Sequence, residues 1–361
     1  MSKMKKQIYS ILTISGLSSF QIAGASWVAL LAARGFSMIE IGLAESCFHV
    51  ASLLFEIPSG VISDVFGRKK SMVLSQCMFI LSAICMAFSQ SLFGVCFALI
   101  LDAFGYNFAS GSREALAYDS LKSEGHEEHY ISYSSVELSI YRIGNASAIL
   151  CAGLALAIGH RTAYLIDAIL GVLCLFLSLQ LKEIQLEQKQ FSGKISSRIL
   201  DCFRESFHFL THNMATLKLM FWNAFIGAVA TLTVFFLQAA LPLSGISNVI
   251  LGPLLFLISL GGAIGAGLVT KVSGWSYRKL SIVCVAGILI GAISGISGFP
   301  VFMCIGGFIA NLCDDMLQVR TDAILNDRFH SSQRATLLSV ASLTFSVVMI
   351  VLSPVAGWIF S

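Results

Sequence analysis

Ionisable side chains recur inside stretches of this sequence that are otherwise apolar, and their spacing gives them faces. Glu45, His49, Ser52, Glu56, Ser59 and Ser63 step by four and three residues, which sets them along one side of a helix. A carboxyl in such a stripe can take up and release a proton. Glu56, just before Pro58, is the first candidate for that task, with an ion pair or hydrogen bond inside the protein as its alternative role; His49 reads as a packing residue. Asp102, Tyr106 and Arg113 share a second face, with Glu114 turned elsewhere. Asp102 would bind a substrate or a proton, or would neutralise Arg142. Glu137 and Arg142 follow on one segment, where Arg142 suits an anionic group or a neighbouring acid. Asn311, Asp315, Gln318 and Asp322 repeat the four-and-three spacing near the end of the chain. Charges surrounded by lipid-like sequence are costly, so each needs a partner, water or a function.

A different kind of cluster lies between two of the apolar stretches. Gly60-Val-Ile-Ser-Asp64-Val-Phe-Gly67-Arg68-Lys69-Lys70 reads as a short charged turn. Basic residues beside a bilayer mark its cytoplasmic side and orient the flanking segments.

The elements that must position these groups are transmembrane helices. The 361 residues are 56% hydrophobic and 12% charged, with a mean hydropathy of +0.83, about half the charge of an ordinary soluble chain. At about 20 residues per crossing, apolar runs fall at 8–33, 39–62, 71–90, 92–118, 131–159, 162–181, 216–241, 247–270, 279–298, 300–325 and 335–360. The glycines within them, Gly261, Gly262, Gly265 and Gly267 among them, suit closely packed membrane helices. With the N-terminus inside, all 23 Lys and Arg fall on or at the cytoplasmic side except Arg34 and Arg161 outside and Arg113 and Arg142 within spans. No small-residue cleavage site follows the first apolar run, so that run is expected to be retained.

A net charge of +3, spread among short connections, gives no footing for nucleic acid. The ten Cys lie almost entirely within spans and read as small buried hydrophobes, without metal-ligand spacing. No Walker sequence is present to hold ATP, and no Ser/His/Asp or Cys/His set argues for an enzyme. No cofactor or metal is expected.

The longest polar stretch, 182–215, divides the chain into a bundle at 1–181 and a second at 216–361. The halves repeat. Gly60, Asp64 and Gly67 lie over Gly267, Lys271 and Gly274, and Glu114 to Asp119 lies over Asp322 to Asp327 at nearly the same offset. Duplicated halves around a midplane site are an architecture of secondary transporters. In this register nothing answers to the sixth span, so the chain is expected to end one helix short of twelve. Truncation, a dispensable helix and a C-terminus outside the cell are the alternatives.

The turn at Gly60 to Lys70 resembles the loop between the second and third helices of the major facilitator superfamily, Gly-x-x-x-Asp-(Arg/Lys)-x-Gly-(Arg/Lys)-(Arg/Lys), with Val65 in place of the first basic residue. Phe55-Glu-Ile-Pro-Ser-Gly60 and Gly111-Ser-Arg-Glu-Ala-Leu-Ala-Tyr-Asp119 are similar to a poorly characterised bacterial branch. The resemblance implies an all-α integral membrane fold of two bundles, with about eleven spans here. It implies a conformational gate of Gly60, Asp64, Gly67, Arg68, Lys69 and Asp119: Gly60 permits close helix approach, Asp64 meets the start of the eleventh span, and Arg68 pairs with Asp119. It further implies a monomer in the bacterial inner membrane that moves a small molecule, with protons as partners. Similarity to drug-efflux members points to export of an amphipathic compound by antiport. Proton-coupled uptake and a non-transporting sensor or remnant are the rivals. The arginine common in span four of proton antiporters is replaced by Asp102, which argues against their usual coupling residue.

Overall fold

The computed structural model describes residues 3–184, 200, 204, 214–328 and 334–361. Among them the secondary structure is helical throughout. The helices are α1 Lys3–Ser19, α2 Trp27–Ala33, α3 Met38–Phe66, α4 Arg68–Phe88, α5 Leu92–Ala109, α6 Ser112–Lys122, α7 Tyr130–Leu150 and α8 Ala152–Ile158. After α9 His160–Gln180 come α10 Met214–Leu243, α11 Asn248–Leu268, α12 Tyr277–Gly295, α13 Pro300–Arg328 and α14 Arg334–Ile359. Among the described residues ten spans are long and apolar enough to cross a membrane, or eleven when the bent pair α7 and α8 counts as one. Most of 182–215 lies outside the described residues.

Three spans expected to be continuous are broken. The first stops at Ser19 and resumes through a short 3-10 turn at Gly24–Ser26. The fourth divides at Gly111, whose φ of +72° places it in the left-handed region open to glycine. The fifth bends by 49° between Leu150 and Ala152. Conversely, Pro58 leaves α3 unbroken. The charged turn also shrinks: Gly60 to Phe66 finish α3, Arg68 begins α4, and Gly67 alone connects them at φ +107°.

The chain forms two compact units. One comprises Met1–Ala25, Leu54–Ala148 and Ile158–Glu205. There α4 packs on α5 and α9, and α1 packs on α9 and α6, with Ile11, Ile14, Leu116, Leu121 and Cys174 buried together. Gln7 ties this unit across distant parts of the chain. Its Nε2 donates to Ser120 Oγ at 2.8 Å and to Lys182 O at 3.1 Å, while its Oε1 accepts from Lys182 N at 3.0 Å.

The other unit comprises Ser26–Leu53, Ile149–Ala157 and Ser206–Ser361. Here α13 packs on α11 and α12, and α14 on α10. Gly261 and Gly265 bring α11 against the backbone of α13 at Phe308 and Leu312, whereas Gly267 faces open space. A chain without side chains at these contacts lets helices approach closely in lipid, where dispersion between them must replace the hydrophobic drive available in water.

Candidate functional site

The basic end of α3 and α4 is held by a three-part arrangement. Arg68, the first residue of α4, pairs through Nη1 with Asp119 Oδ2 on α6 and donates to Ala115 O at 3.0 Å. The two side chains are 30% and 13% exposed, so the pair is sheltered from screening without being sealed from water. The third part is Glu183, just beyond α9. Its Oε1 accepts from Arg68 N and its Oε2 from Lys69 N, both at 2.9 Å. These amides are orphan donors at the start of α4, and a carboxylate there also meets the positive end of the helix dipole. Gly67 is required on two counts: its positive φ, and the Glu183 carboxylate occupying the space a Cβ would take.

The structure thus brings Gly67, Arg68, Lys69 and Asp119 together. Asp64 is exposed on the last turns of α3. The side chains at the start of the eleventh span, where the resemblance places its partner, lie outside the described residues. Gly60 faces open space, so no close helix approach is present at that glycine.

Deeper in the same unit, Arg113 on α6 joins three helices. Its Nη1 donates to Ser15 Oγ at 3.0 Å and Glu137 Oε1 at 3.2 Å, and Ser15 Oγ donates to Glu137 Oε1 at 2.6 Å. Glu114 Oε1 stands 3.9 Å from Arg113 Nε. Arg113 and Glu137 therefore satisfy each other. Glu56 is half-buried on α3, within electrostatic reach of Tyr106, which also senses Tyr141, Arg113 and Glu114. Among the described residues no hydrogen bond or ion pair engages the Glu56 carboxylate.

Asp102 is half-buried on α5. The expected pairing of Arg142 with an acid does not appear among the described residues, and Arg142 is exposed on α7. Ser135 and Ser139, also exposed, precede it at helical spacing, so that face of α7 is polar, and lipid would penalise it.

In the second unit, α13 carries the polar line found in the sequence. Asn223 on α10 donates to Gln318 Oε1 at 2.8 Å, Gln318 Nε2 donates to both Asp322 oxygens at 3.3 and 3.4 Å, and Asn311 donates to Ile258 O at 3.1 Å. Asp315 lies against Gly262 of α11, which leaves room for its carboxylate. On α3, Glu45 Oε1 is 3.3 Å from His49 Nε2, and His49 Nδ1 is 3.3 Å from Ser346 Oγ, so His49 is a satisfied packing group.

At the Met38 end of α3 this unit is tightly closed. Gly42 abuts the Ser353 carbonyl and Gly357 the Met38 carbonyl, so α3 and α14 meet backbone to backbone. Gly153 of α8 abuts the Asn248 carbonyl at the start of α11, and Gly252 of α11 abuts the carbonyl of Leu150 at the end of α7. Trp27 crosses Phe235 edge-on at 6.0 Å.

Sequence reasoning missed this seal, together with Glu183, Ser15 and Asp167. Asp167 had a signal, being the acid within the sixth apolar run. Glu183 had none, since its partner amides are invisible in a list of side chains.

Helical spans, internal polar groups and a latched basic end define a polytopic, all-helical membrane protein. Residues 8–296 match the Major Facilitator Superfamily, and the chain belongs to that family. It is 32% identical over 106 residues to the uncharacterized MFS-type transporter YxaM of Bacillus subtilis (strain 168), a match covering 29% of this chain and 26% of that protein. The matches thus span about a quarter of the length of the curated relatives. Among solved structures, a mutant of the nucleoside transporter NupG has a TM-score of 0.78 at 15% identity, covering 96% of this chain and 90% of that one. A D-xylose-proton symporter has a TM-score of 0.71 at 12% identity, covering 96% and 89%. At such identities the likeness concerns the fold.

Proposed function

We propose that this protein is a secondary carrier that moves a small solute by alternating access, coupled to protons, with export of an amphipathic compound as its direction. In this reading 1–181 and 216–361 are the two bundles and 182–215 joins them. The N-terminus is in the cytoplasm and the protein is a monomer of the bacterial inner membrane. The observation that carries the reading is Glu56, a half-buried carboxyl inside the span Met38–Phe66 that no hydrogen bond or ion pair engages among the described residues. A charge held there at full cost suits a group that spends part of each cycle protonated. Asp102 and Asp315 are the further proton or substrate candidates. Arg142, exposed on a polar helix face, suits an anionic part of the solute, while Arg113 and Glu137 serve to join helices.

The glycine seal at the Met38 end would close the outer mouth in one state, and the Arg68–Asp119 latch with Glu183, Gly60 and Asp64 would serve as the inner gate. Moving one charge through about 100 mV supplies roughly 2.3 kcal/mol, enough to bias such a pair of states. Proton-coupled uptake is the second reading, favoured by the likeness to a D-xylose-proton symporter. Transport into inverted vesicles, with and without a proton gradient, separates the two by the direction of accumulation. Absence of any gradient dependence counts against both.

A further inference from the structure

A broken helix at membrane depth exposes backbone groups that lipid cannot satisfy, and at the break in the first span one carboxylate meets three of them. Asp167 Oδ1 accepts from Ile22 N at 2.9 Å, and its Oδ2 accepts from Ala23 N and Gly24 N at 3.0 Å each. Asp167 is 5% exposed on α9, which packs against α1 and α4. The boundary between the compact units falls immediately after this contact, between Ala25 and Ser26. We propose that Asp167 is a proton-loading site whose protonation opens the break in the first span. This rests on the reading of the protein as a proton-coupled carrier.

The chemistry follows from the number of donors. A carboxylate has acceptor sites enough for three amides, and its charge strengthens each bond. Protonation places an O–H on an oxygen that already faces an N–H, removes the charge and leaves at least one amide poorly met. The break and the proton are therefore linked. Closing the break around the carboxylate releases the proton, and binding a proton weakens the closed break by the same factor.

Burial opposes the charge and the three amides favour it; no charged side chain among the described residues adds to these influences. On α9 the other titratable groups are Tyr164, buried one turn earlier, His160 and Arg161 at the start of the helix, and Cys174 two turns later. On α1, Lys5, Lys6 and Tyr9 belong to its opposite end; on α4, Arg68, Lys69 and Lys70 belong to its start, with Cys77 and Cys85 along its length. The proton balance of Asp167 thus depends mainly on whether Ile22, Ala23 and Gly24 stay in place. A fixed structural cap would make the same contacts but would not titrate in the working range.

Amide hydrogen exchange of the full chain in lipid nanodiscs tests this, read at residues 20–33 across about pH 5 to 9 and corrected for intrinsic exchange. Protection of Ile22 to Gly24 should fall by about tenfold as pH drops, the difference expected between charged and neutral acceptors. In Asp167→Asn it should be low and independent of pH. Protection that stays constant with pH in the unaltered protein overturns the proposal, and that result stands even if the variant fails to fold. The titration needs no solute and no gradient. Its failure is therefore distinct from failure of the proposed transport, which the vesicle measurement decides.

Discussion

Replacing Arg68 by Ala removes two contacts at once, the pair with Asp119 and the 3.0 Å bond to the Ala115 carbonyl. Fully exposed pairs contribute about 0–1 kcal/mol, and breaking a buried one costs about 3–5 kcal/mol. With side chains 30% and 13% exposed, this pair belongs between those limits, so a loss of about 2 kcal/mol is expected, or roughly 30-fold in a two-state equilibrium. The pair's own share is isolated by a cycle of Arg68→Ala, Asp119→Ala and the double variant, followed by denaturation of the purified protein in detergent. A coupling of about 1–2 kcal/mol is expected, because the Ala115 bond is lost with Arg68 in either background. If the pair also acts as a gate, Arg68→Ala should slow turnover more than it weakens solute binding. Strict additivity would refute the energetic argument, and unchanged turnover would leave the pair a purely structural tie.

Other expectations follow from the same geometry. Glu183→Ala should raise amide exchange at Arg68 and Lys69 and destabilise the start of α4 by about 0.5–1 kcal/mol; unchanged exchange would remove Glu183 from the arrangement. Glu56→Gln should uncouple solute movement from the proton gradient, because the neutral amide cannot cycle a proton, and retained coupling moves that role to Asp102, Asp315 or Asp167. Gly357→Leu should prevent the backbone contact with Met38 and raise the reactivity of cysteines introduced at the Met38 end of α3, read by thiol labelling. Cysteines placed at Lys70 and Lys279 should react from the same face of the membrane; opposite faces would end the two-bundle reading.

Much of the fold was legible because lipid simplifies the code: length and apolarity mark a span, and a four-and-three polar stripe marks its inward face. That logic located the α3 stripe and the α13 line, whereas the pairing of Arg68 with Asp119 came from the resemblance of the charged turn to the family's loop. It failed where backbone chemistry decides. The break near Gly24 and the division at Gly111 lie inside runs that remain apolar on both sides, so hydropathy carries straight through them. Arg142 and Asp102 show a further limit, since helical phase tells which side a residue occupies but not which neighbouring helix brings a counter-charge.

The contacts of Gln7 impose an order of assembly. Two of its three hydrogen bonds go to the backbone of Lys182, so α1 cannot finish its bonding until the sixth apolar run has followed it into the membrane. From that moment Ser120 and Lys182, the two residues Gln7 bonds, are both in place, before residues 214–361 are translated. Changing Gln7 would then lower the yield of folded protein in the membrane before it altered the behaviour of the protein once folded.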